Sequence, residues 1–96
     1  MPCKIVWHKE AVLDQFRLFN HLKSVNPAAA QKAAELIRCG AESLQQWPNR
    51  CRPMGDGSGR RELIIQFGSG AYVLRYVLDG DVIVIIRVWH SKEIHA

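Results

Sequence analysis

The feature that most constrains this chain is its C-terminal third, where three apolar stretches are separated by glycine-bearing breaks. Val82-Ile83-Val84-Ile85-Ile86 continues to Trp89 as a nearly unbroken, β-branched run. It is too short to span a bilayer as a helix and too continuous for a strand with one wet face, so it must lie inside a sheet covered on both sides. Asp79-Gly80 ahead of it is a strong hairpin signal, since a type I′ turn needs positive φ at both central residues. That turn joins the run to a strand over Ala71 to Leu78. Gly68-Ser69-Gly70 separates this strand from an earlier one, Arg61 to Phe67, in which Leu63, Ile65 and Phe67 alternate with Glu62, Ile64 and Gln66. A two-residue turn at Asp79-Gly80 sets Arg75 beside Val84, whereas a bulged turn moves every facing side chain.

The N-terminal half supplies what covers that sheet. Lys4 to Trp7 reads as one short strand. From Glu10 to Val25, Leu13, Phe16, Phe19 and Leu22, flanked by Val12 and Val25, recur at helical spacing with no internal Gly or Pro, which predicts an amphipathic helix with those residues inward. Asn26-Pro27 then provides a capping side chain followed by proline at the first helical position, so a second helix begins there. Its alanines, Ala30, Ala33, Ala34 and Ala41, allow close approach to the first helix as an antiparallel hairpin. Gly40 should weaken this helix by about 1 kcal/mol relative to alanine. Trp47-Pro48 ends the helical pattern, and Asn49 to Gly59 has no periodicity of its own, as expected of a functional or mobile loop. The predicted fold class is α+β, β-α-α-β-β-β, a helical hairpin on one face of a mostly antiparallel four-stranded sheet, in a single domain over residues 1–96.

Charge narrows the partners. Lys and Arg number 13 against 9 Asp and Glu, a net +4, which suits nucleic acid, an acidic protein or another negative surface. No spanning helix and no signal-peptide core are legible, so the cytoplasm is expected and no membrane partner is. Cys3, Cys39 and Cys51 are an odd count without metal-ligand spacing, so they read as free thiols, and no metal or cofactor is implied. Gly55-Asp56-Gly57-Ser58-Gly59 lacks the lysine and helix of a phosphate-binding loop.

The candidate functional residues are the charges inside apolar strands and the arginines of the loop. A buried charge costs several kcal/mol unless paired, so Glu62, Arg75 and Arg87 should either pair across strands or line an open, partner-covered face. Arginine's planar fork also suits phosphates and carboxylates. Arg50, Arg52, Arg60 and Arg61 against Asp56 alone give the loop region a local charge of +3. His90, at the end of the last strand, has the chemistry for proton transfer, as in cleavage at an RNA 2′-hydroxyl. His8, His21 and His95 have weaker context.

Several strings, in this order, resemble the RelE/ParE superfamily of bacterial toxins: Asn26-Pro27 with its Ala-rich helix, Leu44 followed by Pro48, Arg61-Glu62-Leu63, Tyr72-Val73-Leu74-Arg75-Tyr76 and Val88-Trp89-His90-Ser91-Lys92-Glu93. The resemblance implies the toxin of a type II toxin-antitoxin (plasmid stabilisation) system, neutralised by a cognate antitoxin whose extended or helical segment wraps it. The superfamily divides by mechanism. Nucleases of the RelE kind, which cut messenger RNA on the ribosome, usually carry arginine where this chain has Val73, and the tyrosine that commonly follows the histidine is Ser91. The Arg61-Glu62-Leu63 and Trp89-His90 strings look more like the ParE branch, whose members poison DNA gyrase. On that reading Arg50, Arg52, Arg60, Arg61, Arg75, Arg87 and Lys92 are target contacts. On the nuclease reading Arg61, Arg75 and Arg87 stabilise the phosphorane and His90 moves the proton. A third reading is an inactive member retained as an interaction module.

Overall fold

A computed structural model describes residues 3–93; His95 lies outside them. The elements follow the expected order: β1 (Lys4–Trp7), α1 (Lys9–Lys23), α2 (Pro27–Ser43), β2 (Arg61–Phe67), β3 (Gly70–Asp79) and β4 (Val82–His90). Strand order is β1-β4-β3-β2, with β1 parallel to β4 and the other neighbours antiparallel. The apolar run is therefore internal to the sheet by strand order, but it is not covered on both faces as its continuity suggested: Ile83, Ile85 and Val88 are buried while Val82, Val84 and Ile86, on the side without helices, are only half-buried. Asn26 caps α2 through its side-chain oxygen, which accepts the Ala29 N–H at 3.1 Å, with Pro27 at the first helical position as predicted. Helix α1 packs on β4 and α2 on β2 and β3, enclosing a core whose largest fully buried side chains are Leu44, Leu74, Tyr76, Ile83, Ile85 and Val88.

Three local expectations change. The inward face of α1 is Ala11, Asp14 and Leu18, joined by half-buried Leu22, while Leu13 and Phe16 are 52% and 63% exposed. The hydrophobic count favoured the wrong side because the inward stripe contains an acid. Second, the β3–β4 turn is Gly80-Asp81, with Asp79 opposite Val82. Gly80 has φ of +62° and Asp81 is not among the positive-φ residues, which is the type II′ pattern, needing glycine only at its first central position. The register then shifts once between Arg75 and Tyr76, so Arg75 faces Arg87 and not Val84, with Ile86 as the extra residue of a bulge. Third, Gly40 is a contact position and not simply a weak link. A Cβ there would stand 2.6 Å from Ile65 Cδ1, so a larger residue would have to push the Ile65 side chain aside where α2 meets β2.

Candidate functional site

The bulge in β4 and the shortness of β1 together decide what the strand charges do. Strand β1 ends at Trp7 opposite Ile85, and the last ladder bond on that side is His8 N–H to Ile85 O at 2.8 Å. Beyond it, β4 would show bare backbone, a cost that native folds avoid. Helix α1 covers this edge with side chains. Asp14 Oδ2 accepts the Val88 N–H at 2.9 Å and the Arg87 Nε–H at 2.8 Å; Oδ1 accepts from Arg87 Nη2 at 3.2 Å and Arg17 Nη2 at 3.3 Å. Arg17 also reaches the Val88 carbonyl and Glu93, and Glu93 Oε1 accepts the His90 N–H. Burial alone would push the Asp14 carboxyl up, but the bonds from Arg87, Val88 and Arg17 outweigh it and hold it below the ordinary carboxylate range. Arg87 is thus neutralised inside the fold. Sequence reading missed Asp14; an acid in the middle of an amphipathic helix, four residues before Leu18, was the available signal.

Arg75 is neutralised on the other side of the sheet. Its Nε and Nη2 both donate to Glu62 Oε2, at 3.0 and 2.7 Å, and its guanidinium lies 4.8 Å from the centre of the Trp89 ring. His90 belongs to the helical side, where it meets Tyr72 edge-on at 5.1 Å. Its Nδ1 accepts the Lys92 N–H at 3.1 Å, which leaves the neutral ring's proton on Nε2. Its ring lies so close to Gly70 that a Cβ there would be 2.6 Å from Cε1. His90, Arg17, His21, Lys92 and Glu93 line a hollow of about 600 Å³ floored by Phe67 and Tyr72. Burial, with the nearby Glu93 charge, raises the Tyr72 phenol above its usual range. Arg61 turns instead to the loop, donating to the Cys51 carbonyl. The four nuclease candidates, Arg61, Arg75, Arg87 and His90, therefore engage four different partners; Arg75 and Arg87 are cross-strand neighbours, but their guanidinium groups turn to acids on different elements, Glu62 and Asp14, and the four share no common hollow.

The loop between α2 and β2 carries the remaining candidates. It is tied to the sheet by Tyr76 Oη–H donating to Pro48 O at 3.0 Å, by Arg61 on Cys51 O and by Met54 N–H on Arg60 O at 2.7 Å. Asp56 closes a turn of its own, accepting from the Ser58 hydroxyl and N–H and from Arg60 Nη2 at 3.0 Å. Those bonds hold Asp56 well below the usual carboxylate range, and they occupy Arg60. Arg50 donates to the Ser43 hydroxyl at 2.9 Å and Lys92 to the Ser69 hydroxyl at 2.6 Å, neutral partners, and neither charge meets an acid among the described residues. Arg52 is exposed and makes no hydrogen bond or ion pair among the described residues. The target-contact candidates thus divide: Arg60, Arg75 and Arg87 hold acids, whereas Arg50, Arg52, Arg61 and Lys92 hold none among the described residues.

A second surface lies on the helical hairpin. Because α2 presents alanines to the aromatic side of α1, the helices leave an apolar hollow of about 250 Å³ bordered by Val12, Phe16 and Phe19 on one side and Ala30 and Ala34 on the other. Among the described residues no group of three or more His, Cys, Asp or Glu is arranged to hold a metal ion, and no helix is long and apolar enough to cross a membrane. Cys3, Cys39 and Cys51 are not joined to one another.

Comparison with known proteins gives a consistent family. The profile of the ParE toxin of the type II toxin-antitoxin system parDE matches residues 5–95. Toxin RelE1 of Caulobacter vibrioides is 38% identical over 77 residues, covering 80% of this chain and 81% of that protein. Toxin RelE3 of the same organism is 38% identical over 80 residues, covering 83% and 85%. Among solved structures, the chromosomal ParDE toxin-antitoxin system of P. aeruginosa superposes with a TM-score of 0.76 at 23% identity over 90% of this chain and 92% of that one. The RelBE2 toxin-antitoxin complex of Mycobacterium tuberculosis gives 0.61 at 22% identity over 94% and 99%. Both share the fold of two helices on a four-stranded mixed sheet.

Proposed function

This chain belongs to the ParE toxin family of type II toxin-antitoxin systems, within the RelE/ParE superfamily, and we propose that it arrests growth by binding DNA gyrase in the cytoplasm and not by cutting RNA. The observation that carries this reading is the dispersal of the nuclease candidates. Arg75 is held by Glu62, Arg87 by Asp14 and Arg61 by a backbone carbonyl, while His90 faces a different hollow. General acid-base catalysis needs its groups within hydrogen-bond reach of one reacting site. A binding toxin has no such requirement, and the uncompensated Arg50, Arg52, Arg61 and Lys92 suit an acidic macromolecular surface. The cognate antitoxin keeps the protein silent by laying an apolar segment into the hollow between α1 and α2, where Phe16 stands 63% exposed.

One arrangement favours a second reading. Arg17, His21, His90 and Lys92 line a single hollow that could admit a nucleotide, and the curated relatives are named RelE toxins, so cleavage of ribosome-bound messenger RNA with His90 moving the proton is the alternative. Purified wild type and His90→Ala separate the two in parallel assays of gyrase supercoiling and ribosome-dependent messenger-RNA cleavage. Equal inhibition of supercoiling by both, with intact message, is expected. Cleaved message that depends on His90, with gyrase untouched, overturns the proposal.

A further inference from the structure

We infer that Trp47 is the anchor with which this protein grips its target, assisted by Arg50 and Arg52 of the same loop and fitted to an acidic pocket on a protein surface. The inference rests on the reading of the chain as a binding toxin and names the contact that reading requires. Trp47 is 69% exposed and, with Phe16, one of two aromatic residues left in solvent among the described residues. Phe16 borders the apolar hollow on the hairpin, whereas Trp47 stands apart from it. A lone exposed apolar side chain is ordinary; what distinguishes this one is how it is held and what surrounds it. Pro48 fixes the backbone immediately after it. The carbonyls of Pro48 and Cys51 are pinned by Tyr76 and Arg61, and the Arg50 N–H closes a turn on the Trp47 carbonyl at 3.2 Å. The ring is therefore presented on a fixed turn, and binding forfeits little freedom in ordering that backbone.

The charges beside it indicate the partner. Arg50 and Arg52 hold no acid, and Trp and Arg are the side chains over-represented where truncation costs an interface most. Stretches that bind single-stranded nucleic acid place successive aromatic rings in a row. Here Tyr72 and Tyr76 are buried and Trp89 lies under Arg75, so one ring is accessible beside these arginines. One accessible ring on a loop that also carries two cations fits a pocket with acidic walls, not a ladder of bases.

The test measures affinity for purified gyrase holoenzyme, by calorimetry and by supercoiling inhibition, for wild type, Trp47→Ala, the pair Arg50→Glu/Arg52→Glu, and Val25→Ser as a control for exposure, since Val25 is 77% exposed far along the chain. Circular dichroism melts establish that each variant folds. Affinity should fall at least about tenfold for Trp47→Ala and further for the charge reversal, with Val25→Ser unchanged. If wild type inhibits gyrase and Trp47→Ala matches it, the inference fails while the proposed function stands. If wild type neither binds nor inhibits gyrase, the function fails and takes the inference with it. Binding of a single-stranded oligouridine that is lost in Trp47→Ala would overturn the protein partner in favour of base stacking.

Discussion

Arginines in the strands and arginines in the loop have the same side chain and opposite circumstances. Arg87 and Arg75 sit within apolar sequence and each is matched by an acid, Asp14 and Glu62, supplied by another element. Arg50 and Arg52 sit where the sequence has no periodicity, and neither has an acidic partner among the described residues. Desolvation explains the difference. A cation in a half-buried strand position is tolerated only with a counter-charge close by, while a loop cation keeps its water and can wait for an external partner. What looks in sequence like one cationic population is two, one spent on the fold and one left for binding.

The comparison predicts a graded series, and its steepest step is Asp14→Ala. That change strips the Val88 N–H of its acceptor and leaves Arg87 and Arg17 without their shared carboxylate, so stability should fall by roughly 2–4 kcal/mol. For a domain of this size the midpoint of thermal unfolding should drop by about 10 °C or more. A loss no greater than that of an exposed helix substitution would mean that the β4 edge is not held as described.

Acid should expose the same site. Asp14 has a pKa in the folded state below its unfolded value, so its contribution is fully present above the unfolded carboxylate pKa of about 4 and is lost as pH falls below that toward the folded value. Melts between about pH 6 and pH 2 should therefore show wild type losing stability more steeply than Asp14→Asn, which carries no charge to lose. Parallel slopes would place the acid sensitivity elsewhere.

Arg75 and Glu62 form the intermediate case, with side chains 19% and 29% exposed. A double-mutant cycle of Arg75→Ala and Glu62→Ala, read by chemical denaturation, should return a coupling of about 1 kcal/mol, near the top of the range for accessible pairs. Arg75→Ala alone should cost more than the coupling, because its guanidinium also covers the Trp89 ring.

How much of this was legible in the sequence depends on the kind of signal. Element order was, because Asn26-Pro27, Trp47-Pro48 and the glycines after Phe67 and Asp79 act on the chain locally, through φ, caps and missing donors. The face of α1 was not. Leu13 and Phe16 outweigh Ala11 in any hydrophobic count, and only the sheet reveals that Asp14 points inward to complete β4. The strand register was beyond reach for a similar reason. A bulge at Ile86 leaves no trace in an apolar run, yet it sets Arg87 opposite Arg75. The sequence marks the strand charges as needing partners and offers Glu62 as one of them, but the partner on α1 is a tertiary fact. In the sequence Trp47 marks only the end of a helical pattern, since exposure is not written in residue type.

The smallest expected effect on stability belongs to Arg50→Ala/Arg52→Ala. Both side chains lie in solvent, Arg50 gives up a single bond to Ser43 and Arg52 gives up none, so unfolding free energy should stay within about 0.5 kcal/mol of wild type. The effect should appear instead in association. Removing two uncompensated cations lowers the encounter rate with an acidic partner and flattens its dependence on salt, because less long-range attraction remains to be screened. Stopped-flow or biosensor association rates for gyrase, measured across a salt series, should thus fall for this variant while its melt overlays that of wild type. Asp14→Ala should do the reverse under folding conditions, melting early but associating at close to the wild-type rate. A loop variant that destabilised the fold, or one that associated as fast as wild type at low salt, would erase the distinction between the two sets of arginines.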